Sequence, residues 1–357
     1  IYEQYMVGFN LFNKADKQKI ASEDIANIQY SSSIPNIATV SANGNTATVM
    51  PTGNTFGTTV ITFRNSRNGY VGTINVTVKG DKMESIVASS LTAGTNFHAA
   101  LKADGTVWTW GDNTYGQLGN NSVTPSSMPV QVRNPISDGY LDGIVKVAQG
   151  KCHSVALTLD GKVYTWGHGA DGQLGTGNTI SVDEPTDVTP SGVKFIDIAV
   201  GEEFALAVAS DGTVYSTGLN DCSQLGVAST AISARTSFAK IDGLSNIINV
   251  AAGDAFGMAL DKYGNVWTWG SNNKGQLGIG NIGTAYAAPQ SVSTVDSVTA
   301  ISAGSENALL LRSNGTIWAM GANDSGQGGV GNNTGELWLP TEVRDTEDIV
   351  AIAAGYD

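Results

Sequence analysis

The chain has 357 residues, 44 of them glycine, and a formal net charge of −13. Residues 1–80 hold six basic and four acidic residues, whereas the remainder holds 13 basic and 28 acidic ones; this excess of acid argues against nucleic acid or an anionic membrane surface as partner of the larger part. No run of about 18 apolar residues exists, so no membrane-inserted helix is expected.

Residues 1–80 have the pattern of a small β domain. Short β-rich runs recur at 25–30, 37–40, 46–50, 58–63 and 70–78, with a less distinct one at 5–11. Asn43-Gly44 and Asn68-Gly69 predict hairpin turns between them. Five or more short strands at this spacing predict a β-sandwich.

The residues of three of these runs carry a family resemblance. The segment from Ser31 to Ser41, with 57–62 and 74–78, is similar to bacterial immunoglobulin-like group 2 (BIG2-like) domains. Such domains are spacers in bacterial surface proteins, so the resemblance implies an extracellular or cell-surface setting. Residues 80–82 form the expected linker, which predicts domains at 1–80 and 84–357.

The larger part of the chain, after residue 80, consists of one sequence motif that is repeated along it. Each copy begins with a glycine and continues through Ala-Leu, an Asp-Gly turn, Val-aromatic-x-Trp-Gly and Gly-Gln-Leu-Gly. The copies start at Gly94, Gly150, Gly201, Gly253, Gly304 and Gly355, which are 56, 51, 52, 51 and 51 residues apart. A period this long and even indicates one supersecondary unit stacked on copies of itself.

Each copy predicts four strands. An apolar inner strand precedes the repeat glycine and a second strand follows it. The Asp-Gly pair predicts a two-residue hairpin turn in which both residues take positive φ. Aromatic residues alternate in the third strand, as in Trp108 and Trp110, so they share one face, which is expected to pack against the next unit. A weaker fourth strand follows a proline, which favours a sheet edge; the prolines are Pro129, Pro185, Pro289 and Pro340.

Four antiparallel strands in about 51 residues, repeated radially, predict a β-propeller blade. The residues from Gly150 to Gly175 resemble the RCC1-type repeat, named for the regulator of chromosome condensation. The resemblance implies an all-β, RCC1-like β-propeller over residues 84–357, and the usual form of that family has seven blades. Five complete repeats and the start of a sixth at Gly355 favour a ring that continues past Asp357 over a closed five-bladed ring.

Motifs that could carry chemistry are explained by the repeat. Residues 167–172 and 326–331 satisfy Gly-x-Gly-x-x-Gly, but no helix pattern follows either, so no dinucleotide cofactor is expected. His153 occupies a slot that holds Phe in three other copies and Asn307 in the fifth, while His98 and His168 have no partner at metal-ligand spacing. No catalytic triad and no metal site are therefore predicted. Cys152 and Cys222 lie in different repeats, where two free or buried thiols are favoured over a bridge.

Positions that differ between copies are better candidates for function, because the fold does not fix them. One set directly follows each repeat glycine and is expected to ring a central opening with an acidic bias: Thr95, Asn96, Lys151, Cys152, Glu202, Glu203, Asp254, Ala255, Ser305 and Glu306. A second set is the unmatched aromatics Tyr286 and Trp338. If exposed, they favour contact with protein or glycan, and if packed, they belong to the blade.

The leading hypothesis is a non-enzymatic protein- or glycan-binding module of a bacterial secreted or cell-surface protein. The propeller would be its monomeric recognition head and the immunoglobulin-like domain its spacer. A secreted inhibitor of an enzyme such as a β-lactamase is a narrower alternative. The resemblance also implies a guanine-nucleotide exchange regulator of a small GTPase, against which the acidic balance weighs. An enzyme would need convergent carboxylates or a histidine-bound metal in the central channel.

Overall fold

The computed structural model describes residues 90–227, 232–333 and 335–355 in full and, within residues 1–89, the backbone of seven strands. The chain divides into two units, Ile1–Ile86 and Val87–Asp357. No helix among the described residues is long and apolar enough to cross a membrane.

The N-terminal unit has two antiparallel sheets, with strand orders β1-β4-β3 and β2-β5-β6-β7. Their strands are β1 (Tyr5–Gly8), β2 (Ile28–Ser32), β3 (Ala38–Asn43), β4 (Thr46–Pro51), β5 (Gly57–Asn65), β6 (Val71–Lys79) and β7 (Lys82–Met83). The side chains that would form a sandwich core lie outside the described residues. The immunoglobulin-like sandwich and the BIG2-like resemblance therefore stay predictions.

The C-terminal unit contains five four-stranded antiparallel sheets, here called blades 1 to 5, each formed by four consecutive strands. Their bounds are, for blade 1, β8 (Ser90–Ala93), β9 (Phe97–Leu101), β10 (Val107–Gly111) and β11 (Ser126–Gln131); for blade 2, β12 (Ile144–Gln149), β13 (His153–Thr158), β14 (Val163–Gly167) and β15 (Val182–Asp187); for blade 3, β16 (Phe195–Val200), β17 (Phe204–Ala209), β18 (Val214–Leu219) and β19 (Ala234–Lys240); for blade 4, β20 (Ile247–Ala252), β21 (Phe256–Asp261), β22 (Val266–Gly270) and β23 (Tyr286–Ser291); and for blade 5, β24 (Val298–Ala303), β25 (Asn307–Arg312), β26 (Ile317–Gly321) and β27 (Leu337–Glu342).

The segment 349–355 repeats the first contacts of an inner strand. Ile349 donates its N–H to the carbonyl of Gly315 at 3.1 Å, as Val298 does to Gly264 one blade earlier at 3.3 Å. The start of the sixth repeat is therefore placed like its predecessors, whereas the total number of blades stays a prediction.

The hairpin between the second and third strands differs from the predicted two-residue turn. In blade 1, Lys102 and Thr106 are bonded across the loop, and the N–H of Gly105 donates to the carbonyl of Lys102 at 3.0 Å. Only Gly105 takes positive φ, at 80°, while Asp104 does not. A turn followed by a left-handed glycine is the three-residue hairpin loop. The prediction that both residues take positive φ was wrong, because Asp104 acts through its carboxylate, which accepts from Thr106.

The aromatic residues of the third strand pack against the preceding blade, not the next one as predicted. Tyr164 and Trp166 of blade 2 belong to the apolar cluster built on blade 1. Trp166 is fully buried and donates its indole N–H to the carbonyl of Gln117 in blade 1 at 2.9 Å. Trp269 makes the equivalent bond to Gln224 in blade 3. These two seams therefore combine apolar burial with a directed hydrogen bond.

The fourth strand is the outer edge of every blade, but its proline lies inside the strand and not before it. In blade 2, Pro185 falls in the stretch where the register shifts between Thr165 and Gly167 of the partner strand. A missing N–H is tolerated there because the ladder is already interrupted. Blade 3 has an outer strand that the proline pattern missed, since Phe238 occupies the proline slot and is buried beside Phe195.

The repeat glycine is required by close approach between blades. A Cβ on Gly201 would lie 2.0 Å from the ring of Phe204 and 2.5 Å from the carbonyl oxygen of Gly253 in the next blade. Gly150 is equally enclosed, by His153 and the carbonyl oxygen of Gly201. The inner strands can converge only if this position carries no side chain.

Candidate functional site

The turns that follow the repeat glycines meet around a central opening, here called the mouth. It is a cavity of about 600 Å³. Its lining combines the last residue of each inner strand and the repeat glycines with the first residue after each repeat glycine. Those first residues are Thr95, Lys151, Glu202, Asp254 and Ser305.

Main-chain hydrogen bonds connect these five residues from blade to blade. Thr95 donates its N–H to the carbonyl of Lys151 at 3.2 Å, and Lys151 donates to Glu202 at 3.0 Å. Glu202 then donates to Asp254, and Asp254 to Ser305, both at 3.1 Å. The backbone of the mouth is therefore tied together without using the side chains, which stay available to face the cavity.

Two pairs of side chains on neighbouring blades interact at the mouth. Lys151 Nζ bonds Glu202 Oε1 at 2.6 Å, and this hydrogen bond raises the pKa of Lys151 above its usual range. Ser305 donates its hydroxyl to the Asp254 carboxylate at 2.5 Å. Both pairs join neighbouring blades. The Lys151–Glu202 ion pair is partly open to solvent, so salt screens it and its contribution to stability is small. Ser305 is instead buried.

The second residue after each repeat glycine does not line the cavity. The carbonyl of Asn96 accepts from Asp112, and that of Glu306 accepts from Ala322. Glu203 reaches from blade 3 to blade 2, where its Oε2 accepts from Gln173 at 2.5 Å. The structure therefore divides the first predicted set into five residues that line the mouth and five that do not, of which Glu203 crosses a seam.

The loop between the third and fourth strands lies at the same end of each blade as the post-glycine turn. In blade 2 the N–H of His168 donates to the carbonyl of Cys152 at 2.9 Å, and in blade 3 Leu219 donates to Glu203. These turns and loops together form the mouth face. Its basic residues are Lys151 and Lys274, and its acidic residues are Asp112, Asp171, Glu202, Glu203, Asp221, Asp254, Glu306, Asp324 and Glu336.

The seam between blades 2 and 3 gathers three groups of the types that ligate metals, which the sequence did not reveal. Ligand atoms of His168, Asp171 and Glu203 lie within 4.8 Å of one another. Burial raises the pKa of Glu203, and the nearby Asp171 charge adds to this effect. The sequence could not show this grouping, because Glu203 lies in the next repeat and reaches the pair only through the blade seam.

The amide of Gln173 accounts for the spacing of these groups. Its Oε1 accepts from the N–H of Asp171 at 2.9 Å, which leaves Nε2 with two hydrogens to donate. Nε2 lies 2.9 Å from Nδ1 of His168 and 2.5 Å from Glu203 Oε2. Both hydrogens are used and a cation would have to displace the amide, so this arrangement fits a structural junction better than a metal centre.

The histidine that replaces Phe in blade 2 is a packed residue without polar partners. His153 is fully buried, and neither ring nitrogen has a hydrogen-bond partner among the described residues. Burial lowers the pKa of His153 to about 3, so the ring is neutral at physiological pH. His98 is instead exposed and lies 5.6 Å from the Trp110 ring. Cys152 and Cys222 are both free thiols.

The interior of the channel holds one carboxylate among the described inner strands, that of Asp197. It bonds Lys146 Nζ at 2.5 Å, Asn249 Nδ2 at 2.7 Å and the N–H of Val250 at 3.0 Å. This group joins three blades and its oxygens are engaged by donors. It lacks a second carboxylate on the described inner strands with which it could share acid–base work.

Both predicted aromatic residues lie beside the loop of blade 4. Tyr286 is half-buried, and its hydroxyl accepts from Asn281 at 2.7 Å. Trp338 belongs to blade 5 but packs across the seam, where its ring and Cα lie 3.0 Å from the position of a Cβ on Gly275. It nevertheless remains 48 % exposed. The alternatives of packing and exposure both hold for Trp338.

Comparison with known proteins identifies the family of this fold. The profile of the RCC1-like domain matches residues 30–357. The human E3 ubiquitin-protein ligase HERC2 is 29 % identical over 70 % of this chain and 5 % of its own length. The ultraviolet-B receptor UVR8 of Arabidopsis thaliana is 28 % identical over 75 % of this chain and 61 % of its own. The chain therefore spans less than two thirds of either relative.

Solved structures show the same fold. Human WBSCR16 aligns with a TM-score of 0.66 at 22 % identity, covering 87 % of both chains. Yeast RCC1 (Prp20), solved bound to Kap60, aligns with a TM-score of 0.65 at 24 % identity, covering 74 % of this chain and 65 % of its own. The five blades thus have the arrangement of an RCC1-type propeller.

Proposed function

The chain belongs to the RCC1-like domain family, and we propose that its propeller is a protein-binding module whose recognition surface is the mouth face. The proposal rests on the location of the positions whose residues differ between repeats. The first residue after each repeat glycine differs between repeats and lines one cavity, while the repeated residues Trp166 and Gln173 are used in the seams.

Structural neighbours supply an independent argument for a protein partner. Yeast RCC1 (Prp20) is solved with the protein Kap60, and Prp20p has been characterised for its binding to Gsp1p and to histones. The acidic mouth face favours a partner surface that carries basic residues, because complementary charge increases association rates and specificity. A protein partner is favoured over a glycan on these grounds.

We propose that the module acts by binding and not by catalysis. Four of the five mouth side chains are engaged in pairs, Lys151 with Glu202 and Ser305 with Asp254. The Asp197 carboxylate is engaged with its three donors. This arrangement supports a stable surface more than an acid–base pair poised for proton transfer.

A secreted or cell-surface bacterial setting, with the N-terminal unit as an immunoglobulin-like spacer, is part of the same proposal. Its support is the resemblance of the segments at 31–41, 57–62 and 74–78 to bacterial immunoglobulin-like group 2 domains. Fractionation of cells that express the full-length protein tests this part. Recovery of the protein in the cytosol alone would contradict it.

The binding role is tested by site-specific photo-crosslinking in the source organism. A crosslinking amino acid replaces the exposed Thr95 of the mouth, and a control carries it at the exposed Lys262 on the opposite face. We expect a discrete protein adduct from position 95 that position 262 does not give. Equal labelling from both positions, or no protein adduct from position 95, would remove the proposal.

A further inference from the structure

An exposed apolar pair lies on the rim of the mouth face at the seam of blades 4 and 5. Trp338 is 48 % exposed and its neighbour Leu339 is 43 % exposed. Adjacent strand residues normally point to opposite sides, but these two lie where the β26–β27 register shifts. They rest on the loop of blade 4, where Gly280 donates its N–H to the carbonyl of Trp338 at 2.8 Å. We call Trp338 and Leu339 the rim pair.

The fold does not require apolar residues in these two slots. The outer-strand residue that pairs with the third-strand glycine fixes the alignment of the blades, and the slots are the next two residues. The other blades fill them with Ser127-Met128, Asp183-Glu184, Thr236-Ser237 and Ala287-Ala288. Small and polar residues fill both slots in blades 2 to 4, so they suffice for packing, and the rim pair exposes apolar surface without a structural need for it.

Acidic side chains stand next to the rim pair. Lys274 Nζ lies 3.5 Å from Asp324 Oδ2 and 3.6 Å from Glu336 Oε1, beyond the usual length of a charge-assisted hydrogen bond. Asp324 is largely exposed, and Glu336 precedes the rim pair by two residues. One loosely held lysine thus faces two carboxylates, which leaves the site with room for a second cation.

We propose that the rim pair and these carboxylates bind an extended segment of a partner protein. An aliphatic or aromatic side chain of that segment covers Trp338 and Leu339, and an adjacent arginine or lysine pairs with Asp324 and Glu336. Tryptophan beside an aliphatic residue is the composition of an interface anchor, and the flanking acid selects the charge of the partner. The proposal rests on the protein-binding function and assigns it a partner chemistry.

A glycan is the main rival occupant, since sugars also stack on tryptophan. The second member of the pair is Leu339, which offers a sugar no hydrogen bond. The side-chain hydroxyl nearest in sequence, Thr341, donates to the carbonyl of Leu339. The Asp324 and Glu336 carboxylates can accept from sugar hydroxyls as well as from a basic side chain, but the adjoining apolar surfaces of Trp338 and Leu339 favour a hydrophobic protein side chain over a carbohydrate ring.

The test selects 12-residue random peptides on the immobilised full chain and measures the enriched peptides by fluorescence anisotropy. The variant W338A/L339A copies Ala287-Ala288 of blade 4, so it is expected to fold, which circular dichroism checks. Met128→Ala, in the same slot of blade 1, is the matched control. We expect enriched peptides with Lys or Arg beside an apolar residue, a loss of at least tenfold in affinity for W338A/L339A, and no loss for Met128→Ala.

A second variant isolates the charge. D324N/E336Q should lower the affinity severalfold and remove most of its salt dependence. Peptides that bind W338A/L339A as well as the parent, enriched peptides without basic residues, or Trp338-dependent binding only on a glycan array would each overturn the inference. Crosslinking from position 95 reports separately, so a protein adduct there with no Trp338-dependent peptide rejects the rim site and leaves the binding function standing.

Discussion

The seams between blades and the mouth face differ in how far the repeat determines their residues. In the seams, Trp166 and Trp269 are both fully buried and make the same bond to the preceding blade. On the mouth face, equivalent positions carry Lys151, Glu202 and Asp254. Where the same residue recurs in equivalent positions, the fold requires it. Where the residue differs while the backbone geometry stays the same, the position is free to carry a function.

The largest effect should come from filling the closest approach between inner strands. Gly201→Ala places a methyl group 2.0 Å from the ring of Phe204 and 2.5 Å from the carbonyl oxygen of Gly253. Overpacking of this kind costs about 3 kcal/mol, measured as a lower free energy of unfolding in urea. Gly139→Ala is the control, because its Cβ would meet only Ser137 Oγ at 3.4 Å. Similar stability of the two variants would contradict the steric account.

Removing the indole bond across a seam should have a smaller effect. Trp269→Phe deletes the N–H that donates to Gln224 at 2.9 Å and leaves a buried carbonyl without that partner. We expect a loss of about 2 kcal/mol in the free energy of unfolding. Trp267→Phe in the same strand, where the ring is only partly buried, should cost clearly less. Equal losses would show that ring volume alone accounts for the effect.

Replacing the buried His153 by phenylalanine should stabilise the protein. His153→Phe restores the residue found in blade 3 as Phe204 and removes two buried ring nitrogens that have no partner among the described residues. We expect a gain of about 1 kcal/mol at pH 7. The converse variant Phe204→His should be destabilised, and thermal denaturation of both variants measures the difference.

The same substitution should change the response to acid. The pKa of His153 is about 3 in the folded protein against 6.5 for an unperturbed histidine, so below pH 6.5 the unfolded chain binds a proton that the fold excludes. The fold is therefore progressively destabilised relative to the unfolded chain as the pH falls from about 6.5 towards 3. The advantage of His153→Phe should be larger at pH 5 than at pH 7, and a constant advantage would contradict this reading.

The smallest effect on stability should come from the mouth. Lys151→Met breaks the 2.6 Å pair with Glu202, yet the partner carboxylate is partly exposed and the blades stay joined through their backbones. We expect a change of less than about 0.5 kcal/mol. The same variant should alter crosslinking from Thr95, because the charge of the mouth changes. A large loss of stability would place Lys151 with the seam residues.

The sequence predicted much of the fold because its determinants are local. Hairpins, buried runs and the spacing of repeat glycines each follow from a few neighbouring residues. The direction in which Trp166 packs was not accessible, because a period-two face does not specify which neighbour it meets. The outer strand of blade 3 was missed for a similar reason, since Phe238 fills by volume a slot that proline fills elsewhere.

The site was predictable only as a class of positions. Variation between repeats pointed to Lys151 and Glu202, but the separation of mouth residues from seam residues depends on the geometry of the turn. The junction of His168, Gln173 and Glu203 joins residues from two repeats. The rim pair needed the outer-strand register, since only the alignment of blades shows that the fold accepts alanine where Trp338 stands.

The chain of backbone bonds from Thr95 to Ser305 has an evolutionary consequence. Because each link uses only N–H and carbonyl groups, natural selection can exchange the side chains at 151, 202 and 254 without loosening the ring. Proline is the exception at these donor positions, since it has no N–H to give. Lineages of such propellers can therefore acquire new specificities by single codon changes on a frame that tolerates them, and proline should be rare there in any descendant that remains folded.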